Sequence, residues 1–242
     1  MSDATLSSRP TIVLVHGAFA DASSWNDVMS TLLAHGYPVV AAANPLRGVA
    51  SDAAALASLL ASIDGPLVLV GHSYGGMLIS NAARGNGQVR ALVFVAAFAP
   101  DEGESAAQLT GRLPGSTLGE ALTPVPLAEG GTDLYIQQER FHAQFAADLP
   151  GGQAQLMAAS QRPVTEQALN EPAGAPAWKS IPSWFIWGDG DKNIPPAALR
   201  WMAERAGGRE LIEVEGASHA LAASRADRVA DLILRAAGHQ TK

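Results

Sequence analysis

Short apolar runs alternate with longer amphipathic segments along most of the chain. The first run, Thr11–Val15, is continuous and rich in β-branched residues, which is typical of a strand buried on both faces of a parallel sheet. In the next segment, residues 24–34, apolar positions such as Trp25 and Val28 have the spacing of one buried helix face. The two segments predict a strand and the helix that covers it.

The same alternation continues to the end of the chain. It predicts further strands at residues 37–43, 66–70, 90–97, 183–187 and 209–214, and further helices at residues 52–63, 74–84, 196–206 and 225–237. Strands that alternate with helices predict a parallel sheet with helices on both faces. The expected fold is therefore α/β, with six mostly parallel strands.

One long segment interrupts this alternation. Residues 100–181 contain Gly- and Pro-rich turns, with helices expected near residues 132–146 and 153–160. A structureless loop of this length would be implausible in a compact domain. We therefore predict that residues 1–99 and 182–242 form one core, and that residues 100–181 form a helical cap inserted over one end of the sheet.

A glycine-rich turn carries the strongest chemical signal. Residues 71–75 read Gly-His-Ser-Tyr-Gly, between a predicted buried strand and a predicted helix. A sharp strand-to-helix turn of this kind exposes the serine hydroxyl above the sheet edge, and glycines flank it because side chains there would collide. Ser73 is therefore the candidate nucleophile. The alternative is an ordinary strand–helix turn with a capping serine.

A serine hydroxyl needs a base to take its proton and a third group to orient that base. Of the six histidines, His219 lies in the loop after the last predicted strand, where sites form in open α/β sheets. It is the candidate base, and a surface or capping histidine is the alternative. Asp189 and Asp191 both follow the strand at residues 183–187. Asp191 is preferred as the acid, because Asp189 suits a turn residue that accepts from local backbone N–H groups.

Two backbone N–H groups usually receive the negative charge that acyl transfer places on a carbonyl oxygen. We expect one from Tyr74, directly after the nucleophile. The other is expected from Ala18, in the loop after the first strand, with Phe19 as the second choice.

The walls of the substrate pocket are expected to come from the cap and from the first loop. Candidates for substrate contacts are Phe19, Phe141, His142 and Phe145. The spacing of the two cap phenylalanines also suits packing residues, and the histidine also suits a surface or capping residue. Arg47 suits either a contact for an acidic substrate group or a solvated loop residue.

Composition limits the remaining classes of function. The formal net charge is −7 and the 16 basic residues are scattered, which argues against nucleic-acid binding. The chain has no cysteine, metal-ligand spacing, phosphate loop or dinucleotide fingerprint, so neither a metal nor a cofactor is expected. It has no run of about 18 apolar residues and no secretory signal in residues 1–10. We therefore expect a soluble cytoplasmic protein with no membrane partner.

Residues 16–28, HGAFADASSWNDV, and the turn GHSYGG resemble the α/β-hydrolase superfamily. They resemble in particular the branch that holds small plant-type methylesterases and hydroxynitrile lyases, together with many bacterial esterases. The chain order Ser73, Asp191, His219 is also the order of that superfamily. The resemblance implies a helical cap and the cofactor-free hydrolysis of small-molecule carboxylic esters through an acyl-enzyme intermediate.

Two other functions fit parts of the same pattern. A lyase or C–C bond hydrolase would use the same three residues. The lyases of this branch, however, carry a lysine close to the histidine, whereas His219 is followed by Ala-Leu-Ala with no lysine nearby. A non-catalytic protein that binds a small ligand is the second alternative.

Overall fold

The computed structural model describes residues 9–238. Its nine strands within that range are β1 (Thr11–Val15), β2 (Val39–Ala42), β3 (Leu67–His72), β4 (Val89–Val95), β5 (Leu122–Pro126), β6 (Thr132–Ile136), β7 (Val164–Thr165), β8 (Ser183–Gly188) and β9 (Glu210–Val214). Six of them form a parallel sheet in the order β2-β1-β3-β4-β8-β9. The predicted α/β fold with a six-stranded sheet is confirmed.

Ten α-helices occur in the described residues. They are α1 (Asn26–Ala34), α2 (Val49–Ala61), α3 (Gly75–Ala82), α4 (Ala106–Thr110), α5 (Gln138–Phe145), α6 (Gly151–Ser160), α7 (Glu166–Asn170), α8 (Pro196–Arg205), α9 (Leu221–Ser224) and α10 (Ala226–Ala236). Short 3₁₀ turns lie at Ala22–Trp25, Leu118–Ala121 and Ala177–Lys179. None of the helices within residues 9–238 is both long and apolar enough to cross a membrane.

The central strands are apolar throughout because both of their faces are covered. Successive side chains of a strand point to opposite faces. In β1, Ile12 and Leu14 belong to the core that also contains residues of α1 and α10, whereas Val13 and Val15 belong to the core that contains residues of α2, α3 and α8. The continuous apolar runs of the sequence therefore correspond to two hydrophobic cores, one on each side of the sheet.

The segment at residues 100–181 is helical only in part. Besides α4–α7 it contains a three-stranded antiparallel sheet in the order β5-β6-β7, so residues 132–136 form a strand where a helix was expected. Those residues, TDLYI, pair with the Pro-containing strand β5, and their side chains alternate between more and less buried positions over most of the strand. Pairing with a distant segment overrides local helix preference here, as it commonly does in strands.

Residues 44–48 fasten this segment to the core. The guanidinium of Arg47 forms an ion pair with Asp133 on β6 at 2.6 Å and donates to the carbonyl of Pro163 at 2.9 Å. The hydroxyl of Thr165 in turn donates to the carbonyl of Arg47 at 2.8 Å. The side chain of Arg47 is partly exposed, as expected of a loop residue, but its hydrogen bonds link the loop at residues 44–48 to residues 132–165 and it does not line the cavity described below.

Helix α3 approaches the sheet closely at its first residue, Gly75. A Cβ atom on Gly75 would lie 2.4 Å from the carbonyl oxygen of Val15 in β1, whereas a Cβ on Gly87 would meet no atom within 4 Å. We expect Gly75→Ala to lower the free energy of unfolding by about 1–3 kcal/mol, the usual cost of overpacking. Gly87→Ala should leave it near the wild-type value in the same denaturant titration. Equal stability of the two variants would contradict the close approach.

Candidate active site

The candidate residues gather at one edge of the parallel sheet. Strands β1 and β3 are neighbours, while the strands that follow them in the chain, β2 and β4, lie on opposite sides of the pair. The carboxyl ends of strands at such a reversal form a crevice. Ala18 and Ser73 follow β1 and β3, and Asp191 and His219 follow β8 and β9. Parallel pairing therefore brings four distant segments to the same edge.

The turn at Ser73 is strained and sterically crowded. Ser73 has a φ of 52°, in the left-handed region that non-glycine residues rarely occupy. Its carbonyl accepts from Gly76 N at 3.0 Å and from Phe98 N at 3.2 Å, which holds the strained residue in place. A Cβ on Gly71 would lie 2.7 Å from the backbone of Gly75, so glycine is required there. The turn thus presents the side chain of Ser73 to the cavity described below.

His219 and Asp191 form a fully buried pair. The two atoms His219 Nδ1 and Asp191 Oδ2 are 2.6 Å apart, and neither side chain is exposed. The other carboxylate oxygen of Asp191 accepts the backbone N–H groups of Asn193 at 2.8 Å and Ile194 at 3.0 Å. A carboxylate can only accept, so the neutral imidazole carries its proton on Nδ1. Its Nε2 has no hydrogen-bond partner in the described part of the chain and is free to take a proton.

Asp189 occupies a different environment. It is exposed, and its carboxylate accepts the backbone N–H of Gly216 at 2.7 Å, which ties the loop after β8 to the loop after β9. Of the two aspartates in GDGD, only Asp191 contacts His219 in the described structure.

His72 and Phe145 contact His219 and support its position. The ring of His72 donates from Nε2 to the carbonyl of His219 at 2.9 Å. Burial, and secondarily the neighbouring His219, lowers the pKa of His72 to about 3, so this ring stays neutral. The ring of Phe145 meets that of His219 edge-on, with centroids 5.0 Å apart, and the carbonyl of Phe145 accepts from Ala220 N at 2.9 Å. The sequence pattern places His72 only in a tight turn and does not reveal this support.

The backbone donors expected for an oxyanion lie beside Ser73. Ala18 and Tyr74 both line the same cavity as Ser73, and within residues 9–238 their N–H groups have no hydrogen-bond acceptor. The N–H of Phe19 instead donates to the carbonyl of Arg162 in the cap at 3.0 Å. This geometry favours Ala18 over Phe19 as the first-loop donor.

The loop that carries Ala18 is itself anchored. Asn44 donates from its backbone N–H to His16 Nε2 at 3.1 Å and from its amide to the carbonyl of His16 at 2.9 Å. His16 therefore carries its proton on Nδ1 and donates to the carbonyl of Gly17 at 2.9 Å. Burial lowers the pKa of His16, in keeping with a neutral ring.

The side chain of Tyr74 connects the turn to the helix behind it. Its hydroxyl donates to Asp52 in α2 at 3.2 Å, and Asp52 also accepts the backbone N–H groups of Arg47 and Gly48. Burial raises the pKa of the Tyr74 phenol and, as the largest of several effects, that of Asp52. The turn at Ser73 and the loop of Arg47 thus share one buried acceptor, Asp52.

A cavity of about 290 Å³ opens beside Ser73 between the core and the cap. Its lining is mainly apolar and consists of Ala18, Phe19, Ser73, Tyr74, Phe98, Ala106, Ala107, Thr110, Gly111, Ser116, Leu118, Gly119, Leu122, Leu169, Asn193 and Ile194. Phe19 contributes to this lining, as expected.

The three cap residues expected in the pocket lie elsewhere. Phe141 and Phe145 are buried, and their rings stack with centroids 4.9 Å apart. They lie on the face of α5 that is turned towards the loop of His219. His142 is on the exposed side of α5, where Nε2 donates to the carbonyl of Leu149 at 2.9 Å. The packing and capping alternatives therefore describe these residues better than substrate contact.

Comparison with known proteins assigns the family. The model of the family described as "Alpha/beta hydrolase family" matches residues 12–232. The chain belongs to the alpha/beta hydrolase family.

Individual relatives agree with the methylesterase branch. This α/β hydrolase is 29% identical to salicylic acid-binding protein 2 of Nicotiana tabacum, over 86% of this chain and 89% of that protein. It is 24% identical to methylesterase 1 of Arabidopsis thaliana, over 93% of this chain and 95% of that protein. The solved structure of polyneuridine aldehyde esterase has the same fold, with a TM-score of 0.81 and 22% identity, covering 94% of this chain and 98% of that one.

The neutral, buried His72 makes the stability of this α/β hydrolase pH-dependent. The unfolded chain binds a proton at this residue below its ordinary pKa of 6.5, whereas the folded chain does so only near pH 3. Stability from this group is therefore complete above pH 6.5 and is lost as the pH falls towards 3, by at most about 1.4 kcal/mol per pH unit.

We expect His72→Gln, which keeps an N–H donor but does not titrate, to reduce this dependence. Between pH 7 and pH 5 the loss of unfolding free energy should be smaller in the variant by about 1–2 kcal/mol. Denaturant titrations at the two pH values measure it. Identical losses in both proteins would show that His72 is not held neutral by the fold.

Proposed function

We propose that this α/β hydrolase is a serine carboxylesterase that cleaves small-molecule esters through an acyl-enzyme intermediate. The observation that carries the proposal is the buried contact of His219 Nδ1 with Asp191, which leaves Nε2 unpaired at the strand edge where Ser73 lies. Relatives named as methylesterases and esterases support the same reaction class.

In the proposed first half-reaction, Ser73 Oγ attacks the ester carbonyl while His219 Nε2 takes the hydroxyl proton. The carbonyl oxygen becomes an oxyanion, which accepts from the N–H groups of Ala18 and Tyr74. Asp191 stabilises the imidazolium that forms. When the tetrahedral species collapses, the C–O bond to the alcohol breaks, and His219 gives its proton to the departing oxygen. The acyl group stays on Ser73.

The second half-reaction repeats these steps with water. His219 Nε2 takes a proton from a water molecule as its oxygen attacks the acyl carbonyl. The new tetrahedral species collapses by breaking the bond to Ser73 Oγ, which recovers the proton from His219. The acid is released and the resting enzyme is restored without a metal or cofactor.

The cavity supports a small, largely apolar ester as the substrate. At about 290 Å³ it lies near the lower end of ligand-binding pockets. No lysine lines it in the described structure, and Lys192 donates instead to the carbonyl of Ala143 on the exposed side of its loop. Nothing in the cavity therefore favours the lyase reaction.

The cytoplasmic location expected from the sequence stays a prediction.

Hydrolysis of p-nitrophenyl esters from acetate to decanoate tests the reaction class. We expect the wild type to turn over the shorter esters, with the longest chains poor because the cavity is small. Ser73→Ala should lower kcat by about 10⁶, which leaves only the small residual catalysis that comes from binding and the oxyanion donors. A kcat close to that of the wild type in this variant would remove Ser73 from the mechanism.

The two aspartates of the GDGD loop provide a matched pair of variants. Asp191→Asn should lower kcat by about 10⁴, because an amide at this position favours the wrong tautomer of His219. Asp189→Asn changes the same atoms in the same loop, but its side chain only accepts from Gly216 N, so its kcat should stay close to wild type. Comparable losses in both variants would contradict the assignment of Asp191.

A further inference from the structure

Asn193 is an unusual residue in the lining of the cavity. It lies in the loop after β8, two residues beyond Asp191, and its side chain is almost fully buried. Most of the other lining residues are apolar or glycine. A buried amide in such surroundings is unfavourable unless its donors and acceptor are satisfied.

Hydrogen bonds from the cap determine which way this amide faces. Gln144 Nε2 donates to the carbonyl of Lys192 at 2.9 Å, and Gln144 Oε1 accepts from the hydroxyl of Thr117 at 2.8 Å. A backbone carbonyl can only accept, which fixes the orientation of the Gln144 amide. The same Nε2 donates to Asn193 Oδ1 at 2.8 Å, so Oδ1 is the atom that faces Gln144.

The other end of the Asn193 amide is therefore left for a ligand. Its Nδ2 carries two N–H donors, and neither has an acceptor among residues 9–238. This atom is also not one of the fully enclosed polar atoms that lack a partner, and Asn193 belongs to the lining of the cavity. A donor in this position is satisfied when a bound molecule supplies an acceptor.

The other polar side chains of the lining are already committed. The hydroxyl of Thr110 donates to the carbonyl of Ala106 at 2.9 Å, and that of Ser116 donates to the carbonyl of Asn193 at 2.8 Å. The hydroxyl of Tyr74 donates to Asp52. Apart from the groups assigned to the reaction, Asn193 Nδ2 is the side-chain donor that the described lining offers to a substrate.

We propose that Asn193 is a specificity-determining residue, which donates a hydrogen bond to a second oxygen of the substrate. This inference rests on the proposed function, in which Ala18 and Tyr74 bind the reacting carbonyl. The preferred substrates are then esters whose apolar acyl or alcohol part carries one further neutral acceptor, such as a ketone or ether oxygen. A purely hydrocarbon ester leaves Nδ2 unpaired, and sites built to hydrogen-bond a substrate discriminate against such analogues.

Two pairs of esters of matched shape test this inference. Methyl 4-oxopentanoate is compared with methyl 4-methylpentanoate for the acyl side, and 2-methoxyethyl butanoate with butyl butanoate for the alcohol side. For each pair the ratio of kcat/KM, oxygenated over hydrocarbon, is measured in the wild type and in Asn193→Leu. Comparing the ratios between the two proteins cancels the intrinsic reactivities of the esters.

In at least one pair we expect the wild-type ratio to exceed that of Asn193→Leu by about three- to tenfold, the usual value of one neutral hydrogen bond. Thr110→Val is the control, because it removes a cavity hydroxyl whose proton is already committed, and it should keep the wild-type ratio. If Asn193→Leu does not fold, Asn193→Asp replaces it, since it retains an acceptor for Gln144 and loses both N–H donors. Equal ratios in the wild type and the Asn193 variant, for both pairs, would overturn the inference.

Binding separates this inference from the proposed function. The dissociation constants of the same four esters are measured with Ser73→Ala, with and without Asn193→Leu. If the wild type hydrolyses no ester, the esterase proposal fails, but a preference for the oxygenated esters that disappears with Asn193→Leu still supports the role of Asn193. If the ratio of affinities within each pair is the same with and without Asn193→Leu, the role of Asn193 is excluded in either case.

Discussion

The hydrogen bond between His219 Nδ1 and Asp191 Oδ2 is the interaction on which the proposed chemistry depends. Both side chains are fully buried, so an ionised carboxylate is tolerable only because three donors satisfy it. The same hydrogen bond selects the imidazole tautomer and leaves Nε2 without a proton. Burial and pairing therefore leave an unpaired imidazole nitrogen, which the proposed chemistry uses as the base.

Several contacts of the fold hold this pair and Ser73, the proposed nucleophile, in position. Parallel pairing brings the ends of β1, β3, β8 and β9 to one edge, and the absence of side chains at Gly71 and Gly75 permits the strained turn at Ser73. Residues 100–181 also contact this site. Within them, Phe145 packs against the ring of His219. Arg47 fastens the cap through Asp133, and its backbone N–H shares the acceptor Asp52 with Tyr74.

Much of this arrangement is predictable because its causes are local. Continuous apolar runs follow from strands covered on both faces, and the turn at Ser73 is recognisable from glycines in fixed positions between a strand and a helix. The sequence only favours Asp191 over Asp189, because Asp189 suits a turn residue, and the structure gives the two residues different partners.

The features that escape prediction depend on contacts between distant segments. Residues 132–136 form a strand because β5 and β7 pair with them, which no local pattern reveals. The face of α5 that carries Phe141 and Phe145 packs on the core instead of the cavity, although the spacing suits either role. Asn193 looks like an ordinary loop residue in the sequence. Its unpaired donor emerges only from the chain of hydrogen bonds through Gln144.

The most direct test of the proposed chemistry is covalent labelling with a fluorophosphonate, followed by peptide mass mapping. An activated nucleophile in this environment should take up one phosphonyl group per chain, located on Ser73, and heat-denatured protein should take up none. Absence of an adduct on Ser73 in the folded protein, or an adduct on another residue, would contradict a serine nucleophile activated by His219 and Asp191.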